Sequence, residues 1–376
     1  MNATPSDGLD YALPAGVRSR FVDDVNGLRM HVLESGHDGA PDRPIVLLLH
    51  GFPELAWSWR KVMPGLASAG FHVIAPDQRG YGRTTGWDRA YDGDLASFRP
   101  LNLVQDMLAL VFAMGHRRVA SVIGHDFGSP IAAHCALVRP DVFSSLVMMS
   151  APFAGATAIG AQPGARADVQ SDLARLAPPR KHYQWYYSTR EAERDMLEAP
   201  QGLRDFLRAY YHVKSADWRG NSPRPLGGWS AEDLAALPAY YVMPLDQGMA
   251  QTVAPYMPSA AEIASCAWLT EPELDVYCAE FARTGFQGGL QWYRCGVSGI
   301  AGADLRLFAG RTIDVPATFI AGAADWGVYQ SPGLFERLDR VCSDLGGRHL
   351  VAGAGHWVQQ EQPSTVTDLL LAFLSR

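Results

Sequence analysis

The segment GHDFGS, residues 124–129, places a carboxylate where a predicted strand turns sharply into a helix. Gly124 and Gly128 flank the turn, because residues without a Cβ let a strand and a helix approach each other closely at such a bend. Asp126 stands at its apex. A carboxylate is already ionised at neutral pH, so it can attack carbon without a base to remove a proton. The backbone N–H groups that begin the following helix favour that negative charge.

Many hydrolases have a serine at the apex of such a turn, and an aspartate at this position reacts with a different kind of bond. Attack of a carboxylate on an ester or amide would give a reactive anhydride, whereas attack on a saturated carbon with a leaving group gives a stable alkyl ester. Asp325 follows the segment TFIAGAA, and His356 follows LVAGAG. This chain order of nucleophile, acid and histidine is that of the α/β-hydrolase triad. We therefore expect His356, oriented by Asp325, to activate the water that hydrolyses the ester on Asp126.

Two backbone N–H groups are expected to form an oxyanion hole for the second step. One belongs to Phe127, directly after the nucleophile. The other belongs to Phe52 in the segment HGFPE, which follows the apolar run IVLLL. Donors at these two positions would bind the negative oxygen that forms when water attacks the ester.

Apolar runs that alternate with amphipathic segments predict the elements that position these residues. The runs at 43–50, 71–77, 119–125 and 143–150 are continuously apolar, which is typical of strands covered on both faces. The segments between them have helical spacing and end at glycine or proline. The pattern predicts an α/β fold, with a mainly parallel sheet flanked by helices and ligands bound beyond the carboxyl ends of the strands.

A long aromatic stretch interrupts this pattern. The alternation stops after Ser150 and resumes at VPATFIAGAAD, residues 315–325, and the sequence between has mostly helical spacing. We interpret the interruption as a helical lid domain inserted between two strands of one sheet. The predicted divisions are a first core part at 1–151, the lid at 152–312 and a second core part at 313–376.

Composition argues against several classes of function. The formal net charge of -7 provides no basic surface for nucleic acid, and no apolar stretch is long enough to span a membrane. The N-terminal residues lack the apolar core of a secretory signal, so we expect a soluble, cytoplasmic protein. The five cysteines lack paired spacing, which argues against disulfides and structural zinc. We expect no metal and no organic cofactor, and the lid or the sheet edge could support a homodimer.

The glycine-rich segment RGYGRTTG, residues 79–86, is not predicted to bind phosphate. Its spacing departs from G-x-G-x-x-G, and no helix is predicted to begin there. We interpret it as a tight turn in which Asp77 pairs with Arg79.

Together, HGFPE, RGYGRT, GHDFGS and GHWVQQEQP resemble the epoxide hydrolases of the α/β-hydrolase superfamily, over nearly the whole chain. Two lid segments, HYQWYY and GFQGGLQWYR, resemble those that carry the family's pair of tyrosines, here Tyr183 and Tyr293. The resemblance implies that both hydroxyls bind the oxygen of a small-molecule epoxide and protonate it as the ring opens, before water completes the reaction. It also implies a cis peptide bond before Pro53.

Spacing alone does not choose these two tyrosines. The lid also contains Tyr186, Tyr187, Tyr210, Tyr211, Tyr240 and Tyr241, and most tyrosines in such helices only pack. Tyr186 and Tyr187 are the nearest alternatives to Tyr183.

Three other functions remain open. Haloalkane and haloacid dehalogenases of this superfamily also use an aspartate, but the side chains of Phe52 and Phe127 cannot donate to a halide, and the helix after the turn has no arginine before Arg139. A non-catalytic ligand binder on the same fold would usually have lost part of the catalytic set. An esterase would need Ser129, which lies beyond the apex on the predicted helix.

Overall fold

One large sheet organises the chain. The computed structural model describes residues 11–39, 43–159, 168–300 and 302–376. The strands in this part of the chain are β1 (Val17–Val25), β2 (Leu28–Ser35), β3 (Ile45–Leu49), β4 (His72–Pro76), β5 (Ser121–His125), β6 (Leu146–Met149), β7 (Arg180–His182), β8 (Val242–Pro244), β9 (Ala317–Gly322) and β10 (Leu345–Val351). Eight of these described strands form the sheet, in the order β1-β2-β4-β3-β5-β6-β9-β10.

The predicted mainly parallel sheet is confirmed. Strands β4, β3, β5, β6, β9 and β10 pair in parallel, and β1 and β2 add an antiparallel edge that the sequence pattern did not predict. All residues of β3, β5 and β6 are buried, as expected for strands covered on both faces.

Helices flank the sheet and fill the insertion. The α-helices of the described residues are α1 (Met63–Ser68), α2 (Pro100–Ala113), α3 (Gly128–Val138), α4 (Val169–Ala174), α5 (Tyr183–Tyr187), α6 (Glu191–Leu197), α7 (Leu203–Lys214), α8 (Ala231–Leu234), α9 (Met249–Val253), α10 (Ala260–Ser265), α11 (Glu271–Thr284), α12 (Gln287–Ser298), α13 (Gly302–Leu305), α14 (Leu338–Val341), α15 (Val358–Glu361) and α16 (Pro363–Leu374). Short 3₁₀ helices lie at Ala56–Trp59, Leu95–Phe98, Ala254–Tyr256, Arg306–Phe308 and Trp326–Val328. None of the described helices is long and apolar enough to cross a membrane.

One predicted helix is divided in two. The spacing of residues 57–70 predicts a single helix, but the structure has the 3₁₀ helix Ala56–Trp59 and then the separate helix α1. Pro64 explains the break, because proline lacks the N–H that a continuous helix needs at that position and is well suited to the first turn of a new helix.

The residues between β6 and β9, 150–316, are called the insertion below. Its described part is mostly helical, from α4 to α13, and contains the small antiparallel sheet of β7 and β8. Strands β6 and β9 are hydrogen-bonded neighbours, so the insertion leaves and re-enters the sheet at adjacent strands. The exact lid boundaries, 152 and 312, stay predictions.

The cysteines are all free thiols. Cys135, Cys295 and Cys342 are buried, and Cys266 and Cys278 are half-buried. The paired arrangement of a disulfide framework is therefore not found at these positions.

Candidate active site

Asp126 occupies a strained turn between β5 and α3. Its φ of 51° lies in the left-handed region that residues with side chains rarely adopt. The flanking glycines are required by contact: a Cβ on Gly124 would lie 2.1 Å from the Gly128 carbonyl oxygen, and one on Gly128 would lie 2.4 Å from that of Leu49. The backbone thus presents the Asp126 side chain at the carboxyl end of β5, as the sequence predicts.

The structure brings the three predicted triad residues together. His356 Nε2 lies 3.2 Å from Asp126 Oδ2, and His356 Nδ1 lies 3.0 Å from Asp325 Oδ1. Asp325 Oδ1 also accepts a hydrogen bond of 2.7 Å from the Gly327 N–H. All three side chains are buried. The histidine is therefore held between a carboxylate that orients it and the carboxylate predicted to be the nucleophile.

The two predicted oxyanion donors flank Asp126. The Phe52 N–H donates to Asp126 Oδ1 at 3.0 Å, and the Phe52–Pro53 peptide bond is cis, as the resemblance implies. Phe127 has helical φ and ψ of -65° and -23° directly before α3. An N–H at this end of a helix has no acceptor in the preceding turn, so it is free to bind an oxygen from outside the helix.

Opposing effects set the charge of Asp126. Burial raises its pKa, but the contact with His356 and the charges of Lys214 and His125 lower it, and the result lies well below the ordinary value. Burial likewise raises the pKa of Asp325, and the charge of His356 and its hydrogen bond lower it overall. Both carboxyl groups are therefore ionised at neutral pH.

Lys214 is a charged neighbour of the site that sequence reasoning missed. Its ammonium group is buried, and it lies 5.1–5.9 Å from the ring centroids of Tyr210, Tyr240, Tyr241 and Trp357. Its backbone oxygen accepts a hydrogen bond of 2.9 Å from the His356 N–H. No local sequence motif identifies Lys214, because it comes close to the site only when the insertion folds against the loop that carries His356.

His125 connects the nucleophile turn to the two neighbouring loops. Its Nδ1 lies 2.5 Å from Glu54 Oε2, and its Nε2 lies 2.7 Å from the His356 carbonyl oxygen. Burial lowers the pKa of His125, but the charge of Glu54 and its hydrogen bond raise it to about 8. Glu54 Oε2 also accepts from the Gly51 N–H. This buried ion pair links the Phe52 loop, the nucleophile turn and the His356 loop.

The two predicted tyrosines lie opposite the nucleophile turn. The ring of Tyr293 lies 5.4 Å from that of Phe52 and 4.9 Å from that of Phe127, and the ring of Tyr183 lies 5.8 Å from that of Tyr293. The Tyr183 hydroxyl donates to Gln330 Oε1 at 3.0 Å. Burial and the charge of Asp126 raise the pKa of both phenols well above the ordinary value, so both are protonated donors at neutral pH.

Most of the alternative tyrosines have partners of their own. Hydroxyl hydrogen bonds join Tyr186 to Asp195, Tyr187 to Tyr210, Tyr211 to the Pro53 carbonyl and Tyr240 to Asn221. The Tyr241 hydroxyl is buried without a partner among the described residues. A bonded hydroxyl does not by itself exclude a tyrosine, since Tyr183 is also bonded, to Gln330. The ring contacts with Phe52 and Phe127 favour Tyr293, and the choice of Tyr183 stays a prediction.

Two features bear on the rival functions. Ser129 is buried and donates to the Ala151 carbonyl at 2.6 Å, so its hydroxyl serves the fold and does not stand at the apex. The Trp292 indole N–H, next to Tyr293, donates to the Arg79 carbonyl at 2.9 Å and is not free for a halide. Among the described residues, no group of three His, Cys, Asp or Glu side chains is placed to hold a metal ion.

The predicted pairing of Asp77 with Arg79 is wrong. Asp77 Oδ2 lies 2.7 Å from His31 Nδ1, and Arg79 forms an ion pair of 2.7 Å with Asp106. The two residues are close in sequence, but the strand and the turn direct them to different partners.

Comparison with known proteins identifies the family of the chain. A family model described as alpha/beta hydrolase fold matches residues 44–363. Epoxide hydrolase A of Mycobacterium tuberculosis is 35% identical over 96% of this chain and 98% of its own length, and epoxide hydrolase B of the same organism is 34% identical over 93% and 96%. The solved structure of an epoxide hydrolase from an endophytic Streptomyces superposes with a TM-score of 0.76 at 32% identity, covering 96% of each chain. Epoxide hydrolase A from Mycobacterium thermoresistibile gives 0.75 at 31%, over 96% of this chain and 98% of the other. The chain belongs to the epoxide hydrolase family of α/β-hydrolases.

Proposed function

We propose that the protein hydrolyses epoxides to vicinal diols through a covalent alkyl ester on Asp126. The observation that carries this proposal is an ionised aspartate at the apex of the turn, with His356 beside it and two protonated phenols opposite. Known relatives named epoxide hydrolases support the same activity.

The first step forms the ester. Asp126 Oδ1 is held by the Phe52 N–H, which leaves Oδ2 as the oxygen that attacks a ring carbon of the epoxide. As the new C–O bond forms, the ring C–O bond breaks and its electron pair stays on the epoxide oxygen. Tyr183 and Tyr293 donate to that oxygen and supply a proton, because an unprotonated alkoxide is a poor leaving group.

The second step releases the diol. His356 Nε2 takes a proton from water, which attacks Cγ of the Asp126 ester, while Asp325 stabilises the imidazolium that forms. The negative charge develops on Oδ1, where the Phe52 and Phe127 N–H groups bind it. Collapse of this intermediate breaks the bond between Cγ and the alkoxy oxygen, and the diol leaves with a proton from His356. Asp126 is left as a carboxylic acid that carries the water oxygen and the second water proton. Loss of that proton regenerates the carboxylate, and uptake of a proton by the phenolate left after the first step regenerates the tyrosine.

A dehalogenase is the alternative that shares the same nucleophile. It would need donors for a departing halide, but the side chains beside Asp126 are those of Phe52 and Phe127, and the nearby Trp292 N–H is already bonded. Two protonated phenols opposite Asp126 can donate to the oxygen of an opening ring and supply its proton, which favours epoxide opening over halide displacement.

Intact-mass measurement of the variant His356→Gln tests the two-step scheme. This variant keeps the nucleophile and the tyrosines but cannot activate water, so incubation with styrene oxide is expected to raise the protein mass by that of one styrene oxide. The double variant Asp126→Asn/His356→Gln is the matched control and is expected to gain no mass.

An unchanged mass in the single variant, with an epoxide that the unmodified protein turns over, would reject the covalent route. Release of halide from a chloroalkane at a rate above diol formation from styrene oxide would favour the dehalogenase. Binding of styrene oxide by the unmodified protein without diol release would favour a non-catalytic role.

A cytoplasmic location and a homodimer stay predictions. Light scattering during size-exclusion chromatography measures the mass in solution, and comparison with the chain mass decides the assembly.

A further inference from the structure

Glu361 binds the backbone on both sides of the predicted base. Its Oε2 accepts hydrogen bonds from the N–H groups of Ala216, at 2.8 Å, and Gly355, at 2.9 Å. Its Oε1 accepts from the Trp357 N–H at 2.9 Å. Gly355 and Trp357 are the two chain neighbours of His356, so one carboxylate fixes the peptide groups that carry the imidazole.

The same loop is held from the other side by the insertion. Residues 214–216 lie at the C-terminal end of α7, and the Lys214 carbonyl accepts from the His356 N–H at 2.9 Å. A Cβ on Gly355 would lie 2.5 Å from the Ser215 carbonyl carbon and 2.6 Å from the Ala216 nitrogen. The His356 loop is therefore packed directly against this turn, and Glu361 bonds to both.

Asp325 alone does not fix the position of His356. The Asp325 carboxylate contacts Nδ1 and so sets the rotation of the ring. The distance of the ring from Asp126 also depends on where the loop backbone lies, and that backbone is bonded to Glu361 and to Lys214. A shift of about 1 Å in a reacting group can slow a reaction on the order of 100-fold.

We propose that Glu361 is a positioning residue for His356, which hydrolysis of the alkyl-enzyme requires and its formation does not. This inference rests on the proposed function, because it assigns Glu361 to the second of two steps. The residues that act in the first step, Asp126 and the two tyrosines, make no hydrogen bond to Glu361 in the described structure.

The ionisation of Glu361 determines the conditions of the test. Burial raises its pKa to about 8, and the three N–H donors act in the opposite direction. Measurement at about pH 9 therefore compares the variants with the carboxylate form of the unmodified protein.

Single-turnover kinetics with styrene oxide separate the two steps. Quenched samples give the alkylation rate from the gain in protein mass and the hydrolysis rate from diol release. Glu361→Ala leaves three N–H groups without an acceptor, and we expect hydrolysis to slow on the order of 100-fold while alkylation changes by less than about threefold. The alkyl-enzyme should accumulate as a result.

Two further variants control the test. Glu361→Gln keeps one carbonyl oxygen, so it should slow hydrolysis on the order of 10-fold, less than the alanine variant. Gln362→Ala removes a neighbouring side chain that donates to the Gly353 carbonyl, outside the flanks of His356, and it should change neither rate. The alkylation rate of each variant also reports whether its site is folded, and Glu361→Gln decides the question if the alanine variant does not fold.

Equal slowing of alkylation and hydrolysis in Glu361→Gln would show a general structural role and overturn the inference. Hydrolysis no slower than in Gln362→Ala would also overturn it. Failure of the proposed function looks different, since His356→Gln would then gain no mass at all.

Discussion

The two sides of the proposed site are held by different forces. On the core side, Asp126, Asp325 and His356 are fixed by hydrogen bonds and ion pairs of 2.7–3.2 Å between buried groups. On the insertion side, Tyr293 is placed by ring contacts with Phe52 and Phe127. Hydrogen bonds are directional, whereas aromatic contacts fix a ring and leave its hydroxyl free to meet a ligand. The nucleophile must approach the substrate carbon from one direction, which directional hydrogen bonds can fix. The tyrosine hydroxyl must follow the epoxide oxygen as the ring opens, which aromatic contacts to the ring allow.

Tyr183 lies between these two cases. Its ring packs among aromatic residues of the insertion, but its hydroxyl donates to Gln330, which belongs to the core after β9. A bound epoxide must therefore replace Gln330 as the acceptor of this proton. We therefore predict that, when an epoxide binds, the Tyr183 hydroxyl exchanges Gln330 for the epoxide oxygen as its acceptor. The Tyr293 hydroxyl gains the epoxide oxygen as an acceptor.

Removal of the insertion-side hydroxyls should give the largest effect. We expect Tyr293→Phe and Tyr183→Phe each to slow alkylation by about 10²- to 10³-fold, the usual loss when one donor to a developing negative oxygen is removed. Ester hydrolysis should slow less, since it depends on His356. Single-turnover mass measurements give both rates.

Tyr187→Phe is the matched control for these variants. Tyr187 lies 5.0 Å from the Tyr293 ring, but its hydroxyl bonds to Tyr210, so its loss should leave alkylation nearly unchanged. If hydrolysis slowed more than alkylation in Tyr293→Phe, the assignment of Tyr293 to the alkylation step would be wrong.

Stability as a function of pH tests the core side. Glu54 raises the pKa of His125 to about 8, above its unfolded value, so the pair contributes its full stability below about pH 6.5 and loses it as pH rises through 8. The difference in unfolding free energy between the unmodified protein and Glu54→Gln should therefore be about 2 kcal/mol larger at pH 6 than at pH 9. Urea denaturation at both pH values measures it.

The control for this experiment is Glu280→Gln. It also breaks an ion pair of a buried carboxylate, but the partner is Arg83, and an arginine stays charged over this range. Its effect should be similar at the two pH values. A Glu54→Gln difference that did not shrink with rising pH would mean that the link between loops depends on hydrogen bonds alone.

The core side of the site could be predicted from sequence because its residues follow local rules. Each triad residue comes directly after an apolar run, and the carboxyl ends of parallel strands meet at one edge of a sheet. The glycines around Asp126 indicate a close approach of backbone segments, and in the structure a Cβ added to Gly124 or Gly128 would lie only 2.1 or 2.4 Å from a backbone oxygen. Such signals lie within a few residues of the group that they position.

The insertion side and the supporting groups could not be derived in the same way. Spacing does not separate Tyr183 from Tyr186, because only the folded chain shows that Tyr186 bonds to Asp195. Lys214 and Gln330 carry no motif, and their partners are distant in sequence. The wrong pairing of Asp77 with Arg79 has the same cause, since the tertiary fold supplied His31 and Asp106 instead. The edge strand β1 was missed because its residues are mostly exposed or half-buried.

The smallest expected effect concerns the attachment of the insertion to the core. The Tyr91 hydroxyl donates to the Ser188 carbonyl at 2.8 Å, and its ring lies 3.6 Å below the Arg294 guanidinium. Tyr91→Phe keeps the ring and loses one partly buried hydrogen bond, so we expect a loss of about 1 kcal/mol in urea denaturation. Alkylation should stay within about twofold, because the ring contacts that place Tyr293 are untouched. Tyr329→Phe, whose ring packs on Phe335 in the core, is the control for loss of a hydroxyl elsewhere. A Tyr91→Phe protein that kept its stability but alkylated slowly would show that this bond sets the position of the tyrosines, and the insertion side would then depend on directional bonds as the core side does.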